Sequence, residues 1–132
     1  MNRIATLLLV LTLSCAKTGT NETVLLKPKA FQEKIASSPG AIILDVRTPE
    51  EVHQGYLKGA VNFDFNTPEF NILIAGMDKA KPYFVYCGSG VRSAKAADKM
   101  RDLDFKTVYL LDGGIKAWKG EGLPTQAKIE NK

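Results

Sequence analysis

The chain has 132 residues, 45% hydrophobic and 24% charged, which suits one compact domain and is far from the composition of a disordered chain. Its formal charge of +4 comes from lysines and arginines interleaved with acids and apolar residues, without the run of like charges that a nucleic-acid surface carries. A second domain does not fit the length, and nucleic acid is not an expected partner.

Met1-Asn2-Arg3 is a short basic start, Ile4 to Leu13 is almost continuously apolar, and Ser14-Cys15 follows. That apolar stretch is shorter than the roughly 20 residues needed to span a bilayer. Basic, apolar and small residues in this order predict a signal peptide over residues 1–14. Cys15 is the lipidation candidate: its position is similar to the lipobox cysteine of bacterial lipoproteins, with Thr12 standing where that motif has Leu. The expected location is therefore outside the cytoplasm, periplasmic or held to a membrane only by an N-terminal lipid. Residues 15–23 are small and polar and read as a tether, residues 24–126 as the domain and residues 127–132 as a tail. With Cys15 capped by lipid, Cys87 keeps a free thiol without an intramolecular partner, which points to a chemical use for it.

Within the domain, strand-like and helix-like stretches alternate. Pro28 to Ala36 spaces Ala30, Phe31 and Ile35 as a helix does. Ala41 to Leu44 is a continuous apolar run, as in a strand buried on both faces. Thr48-Pro49-Glu50-Glu51 starts a helix, with Thr48 as cap, Pro49 at the first position and Glu51 closing a capping box. Ala60 to Phe63 is a short strand. Thr67-Pro68-Glu69 opens a helix to about Met77 by the same capping logic. Tyr83 to Tyr86 is a buried-type strand that runs into Cys87. Ser93 to Leu103 repeats Ala94, Ala97 and Met100 on one helical face, and Val108 to Leu111 is the next strand. Asp112-Gly113-Gly114 turns into a last helix, Ile115 to Glu121, ended by Gly122 and Pro124. Such alternation predicts an α/β domain with a parallel sheet of four or five strands covered by helices on both faces.

The segment Cys87-Gly88-Ser89-Gly90-Val91-Arg92-Ser93 lies between a buried strand and a helix, where open α/β sheets place their ligands. Its glycines let the backbone curl so that successive N–H groups face inward and form an anion nest. The helix that follows adds the positive end of its dipole, and Arg92 adds a cation able to fork onto an oxyanion. An ordinary thiol, with a pKa of about 8.5, is mostly protonated at neutral pH. Lowering it by about two units takes roughly 2.7 kcal/mol. A helix dipole supplies only about 0.3–1 kcal/mol, so several N–H groups or Arg92 must contribute.

At these residues the chain resembles the rhodanese family. Leu44 to Glu51 followed by Gly55 to Asn62, then Cys87 to Arg92, then Leu111 to Trp118 ending in Gly122-Leu123-Pro124, are similar to its successive signatures. The resemblance implies a rhodanese-like sulfurtransferase, in which a cysteine takes a sulfane sulfur from a small anionic donor such as thiosulfate. It holds the sulfur as a persulfide and passes it to cyanide, to a thiol or to a partner protein. On this reading Cys87 is the nucleophile, and Gly88, Ser89, Gly90, Val91 and Arg92 form the substrate cradle. Asp45 and Arg47 brace the loop from beside it. No metal or organic cofactor is implied. The second loop position is often basic in this family and is Gly88 here, which removes a charge that could grip an anionic donor. Tyr56 and Lys58 stand where the family usually has His and Pro. His53 reads as a solvated residue and Trp118 as packing.

Two other functions use similar parts. Cysteine-dependent phosphatases and arsenate reductases also join a cysteine, a nest and an arginine, but through a longer loop than Gly88 to Val91. Non-catalytic interaction modules share the rhodanese-like fold, and degenerate copies lack the cysteine or the arginine that this chain keeps.

Overall fold

Side chains alternate across a strand, and in the strand before Cys87 both faces are apolar. The computed structural model, which describes residues 21–127, shows the result. In β4 (Pro82–Tyr86), Tyr83 and Val85 enter one core, while Phe84 and Tyr86 enter another on the opposite side of the sheet. All four are fully buried. The sheet has five strands, all parallel, in the order β1-β5-β4-β2-β3, so β4 is central. Its other members are β1 (Glu22–Leu26), β2 (Ile42–Asp45), β3 (Val61–Asn62) and β5 (Thr107–Leu111).

Helices α1 (Pro28–Ala36), α2 (Pro49–His53), α3 (Glu69–Ala75) and α4 (Val91–Asp102) make the crossovers, and α5 (Gly114–Gly120) follows the last strand. Phe70 and Ile74 of α3 join Ala96, Ala97 and Met100 of α4 against Leu44, Val85 and Val108. On the other face Phe31 of α1 meets Ile115 and Trp118 of α5 over Phe84 and Leu111. Phe31 is central there: its ring lies edge-on to Phe84 at 5.3 Å and to Trp118 at 6.5 Å between centroids. Trp118 is buried and donates its indole N–H to the Pro124 carbonyl at 3.0 Å, a packing role as expected. His53 is exposed, as expected.

Several boundaries differ from the sequence reading. Glu22 and Thr23, taken as the end of a tether, begin β1 and pair with Thr107 and Val108. Thr67 does not cap α3: its hydroxyl donates to the Asp64 carbonyl at 2.9 Å, and Pro68 holds the cap position without a side-chain bond. Helix α4 starts at Val91, and its buried face is Ser93, Ala96, Ala97 and Met100, leaving Ala94 exposed. The Thr48–Glu51 capping box forms as read. The signal peptide over residues 1–14, the lipidation candidate Cys15 and most of the C-terminal tail lie outside the described residues.

Because Phe31 joins α1, β4 and α5, Phe31→Ala is expected to destabilise the fold by about 3–5 kcal/mol, read from the midpoint of urea unfolding.

Candidate active site

Strand β4 ends in a loop whose carbonyls and amides face opposite ways. The Cys87 and Gly88 carbonyls accept hydrogen bonds from the backbone N–H groups of Ile115 and Lys116 at 2.9 and 3.1 Å. These are among the N–H groups that the start of α5 leaves without helical partners. With its carbonyls turned toward α5, the loop turns amides toward the sulfur, and the Gly90 N–H donates to Cys87 Sγ at 3.1 Å. Gly90 reaches this position in the left-handed region at φ 108, where glycine carries no steric penalty. Gly114, at φ 62, lies so close to the Cys87 and Gly88 carbonyl groups that an added Cβ would overlap them. The Asp112-Gly113-Gly114 turn is therefore part of the cup's wall, and α5 can dock only with glycine there.

Cys87 is 1% exposed, so a donor must bring its terminal sulfur into the cup. Its Sγ lies 3.4 Å from Ser93 Oγ, and that hydroxyl also lies 3.1 Å from the Gly90 carbonyl, to which it can donate. Burial pushes the thiol pKa up. The Ser93 hydroxyl and the amides of Ser93, Gly90 and Ser89 favour the thiolate and outweigh burial, so the net shift is downward. Sequence order alone places Ser93 at the start of a helix and assigns it no part in the site. Its position three residues after Gly90, in the first turn of α4, was the available signal.

Arg92 lies on the same turn, yet it does not stand open as a free anion clamp. Its Nη1 and Nη2 each donate to a different oxygen of Glu51, both at 2.7 Å, a bidentate fork. Glu51 Oε2 also accepts from the Thr48 backbone N–H at 3.0 Å and the Thr48 hydroxyl at 3.1 Å. The Arg92 hydrogen bonds hold the Glu51 carboxyl down at about 2, with Thr48 adding to them and burial opposing. Sequence reasoning saw Glu51 only as half of a capping box. Gly88 is half-buried, Ser89 and Val91 are exposed, and Val91 presents an apolar side chain at the mouth of the loop.

Asp45 and Arg47 form a buried ion pair beside the loop. Asp45 is the register partner of Tyr86, immediately before Cys87. The Arg47 guanidinium grips the Asp45 carboxylate, with Nη2 to Oδ2 at 2.7 Å, and reaches the Gly55 carbonyl at 2.7 Å. It also lies 5.5 Å from the centre of the Tyr86 ring. Both charged groups are almost fully buried, where an ion pair holds only if its remaining hydrogen bonds are satisfied. Tyr86 Oη accepts the Leu57 N–H at 3.1 Å, and burial pushes the phenol pKa up, keeping it neutral. These groups fix the ends of β2 and β4 together, and among the described residues their side chains bond to one another and to the Glu51, Gly55 and Leu57 backbone and not to the sulfur.

A buried cysteine sulfur held by inward amides at the carboxyl end of a central parallel strand defines an α/β domain with a cysteine-centred anion site. Residues 27–121 match the family model described as Rhodanese-like domain, and the chain belongs to that family. It is 38% identical over 98 residues to Thiosulfate sulfurtransferase 16, chloroplastic, of Arabidopsis thaliana, covering 64% of this chain and 78% of that protein. Its fold is similar to that of a rhodanese-related protein from Thermoplasma volcanium, with TM-score 0.70, 28% identity, and coverage of 80% of this chain and 99% of the other. It is also similar to the polysulfide-sulfur transferase homodimer from Wolinella succinogenes, with TM-score 0.66, 30% identity, and coverage of 87% and 86% of the two chains.

Removing the Ser93 hydroxyl takes a donor from the thiolate and leaves the neutral thiol little affected. Ser93→Ala is therefore expected to raise the Cys87 pKa, shifting the pH midpoint of its alkylation rate by iodoacetamide upward.

Proposed function

We propose that this protein is a sulfurtransferase that carries a sulfane sulfur as a persulfide on Cys87, from a donor such as thiosulfate to cyanide or a thiol. The observation that carries this reading is the buried Cys87 sulfur held by the Gly90 amide and set beside the Ser93 hydroxyl. The thiolate attacks the outer sulfur of thiosulfate, a bond forms to Cys87 Sγ, and the sulfur–sulfur bond of the donor breaks with its electron pair leaving on sulfite. In the second half, cyanide or a thiolate attacks the outer sulfur of the persulfide, and the Cys87 thiolate leaves. Both halves are substitutions at sulfur, so neither calls for a metal or an organic cofactor. The acceptor thiol can belong to a partner protein, since the same second step serves either.

Inward amides suit this exchange because the negative charge moves between the cysteine sulfur and the terminal persulfide sulfur. Donors aimed into the cup stabilise both. Gly88, Ser89, Gly90 and Val91 act mainly through backbone, with Arg92 at the rim. Relatives named for thiosulfate and polysulfide sulfur transfer support the donor class.

We further propose that the chain is exported and anchored through lipid on Cys15. The support is the basic-apolar-small order of residues 1–14. Cells expressing the full chain with radiolabelled palmitate are expected to label the wild type and not Cys15→Ser.

Intact mass tests the persulfide. Incubation with thiosulfate is expected to add about 32 Da, one sulfur atom on the nucleophile, to the wild type. Cyanide should remove it, and Cys87→Ser should gain nothing. An unchanged mass with thiosulfate and with polysulfide would instead favour a non-catalytic binding module.

A further inference from the structure

The second loop position and the rim arginine together set the charge that a donor meets. Arg92 gives both terminal nitrogens to Glu51, and Glu51 is itself held by Thr48 at the start of α2. A Cβ added to Gly88 would lie 3.3 Å from Arg92 Nη2 and 3.7 Å from Glu51 Oε1. A side chain at this position would therefore stand against the ion pair, and glycine leaves the pair undisturbed. Asp64 adds a further negative field at Arg92. Among the described residues the cup's rim thus carries a cation already paired to a carboxylate, with a second carboxylate acting on it and the Cys87 sulfur below.

We propose that Glu51 is a positioning residue that selects the sulfur donor, holding Arg92 so that the cup favours an organic persulfide, singly charged at its reacting end, over dianionic thiosulfate. This inference rests on the sulfurtransferase reading. Thiosulfate brings two negative charges to a rim whose arginine is committed elsewhere. An organic persulfide, R–S–SH, brings at most one at its reacting end. The Cys87 thiolate attacks its outer sulfur, the Cys87 Sγ–S bond forms, and the R–S to S bond breaks. The electron pair leaves as R–S⁻, so the products are the Cys87 persulfide and a free thiolate that takes a proton from solvent. No other oxidant or reductant enters.

The rate of Cys87 persulfidation, followed by intact mass over a range of donor concentrations, tests this with thiosulfate and cysteine persulfide as separate probes. Glu51→Gln keeps a capping side chain at its helix position and frees the guanidinium. It is expected to speed thiosulfate use about tenfold, through a lower half-saturating concentration, while changing cysteine persulfide use by less than about twofold. Gly88→Lys keeps the Glu51 carboxylate, pushes against the Arg92 guanidinium that its Cβ would meet at 3.3 Å and offers the donor a second cation, so it should shift the donor ratio the same way. A thiol titration by alkylation separates charge from mere support. Removing the Glu51 charge leaves the Arg92 cation without its carboxylate and should lower the Cys87 pKa, whereas a loosened loop would raise it. An unchanged donor ratio in both variants overturns the inference while leaving sulfur transfer standing. A wild type that takes sulfur from neither probe overturns both.

Discussion

Everything at the site follows from which way the peptide groups after β4 face. A carbonyl turned toward the sulfur would oppose a thiolate, and the chain prevents this by giving the Cys87 and Gly88 carbonyls to the N–H groups of Ile115 and Lys116. The donors at the start of α5 are thereby spent on the loop's outer side, and the Gly90 amide remains for the sulfur. The close approach that permits this exists only because Gly114 has no side chain. The loop at Cys87 and the turn at Gly113-Gly114 are therefore one structural unit, though the whole of α4 and β5 separates them in sequence.

Two ion pairs flank this unit under different conditions. Asp45–Arg47 is dry, shares its guanidinium with the Gly55 carbonyl, and ties β2 to the chain entering β3. Glu51–Arg92 is partly solvated, with side chains 35% and 25% exposed, so water screens it and its contribution to stability is modest. Its Glu51 carboxyl is held at about 2 against an ordinary value of 4.5. Its contribution is therefore complete above pH 4.5 and is lost as pH falls toward 2. The buried pair fixes the frame, and the solvated one sets the charge seen at the mouth.

The sequence made the layering legible because β2, β4 and β5 are apolar on both faces and the helices between them carry clear starts. It hid β1. Glu22 to Leu26 lies at the sheet edge, begins with polar residues and leaves Leu25 61% exposed, so it lacks the continuous apolar run that marks an inner strand. Thr67 misled because a threonine before Pro-Glu also fits a turn, and here it bonds backward to Asp64. At the site, the cysteine, the glycines and Arg92 were readable from local order. The Glu51–Arg92 pair was not: its partners are 41 residues apart, and Glu51 already had a sufficient local explanation as a cap. Ser93 belongs to the same segment, but only the first turn of α4 brings its hydroxyl back over the sulfur.

The Ser93 hydroxyl has one proton and two acceptors within reach, the Gly90 carbonyl and Cys87 Sγ. When the sulfur is neutral, the proton can serve the carbonyl, and the thiol can donate to Ser93 Oγ. When the sulfur is charged, the stronger acceptor takes the hydroxyl proton. The hydroxyl is thus a rotor whose bearing records the charge beneath it. It sits in the first turn of α4, so each ionisation of the cysteine is also a small rewiring of that helix's opening bonds.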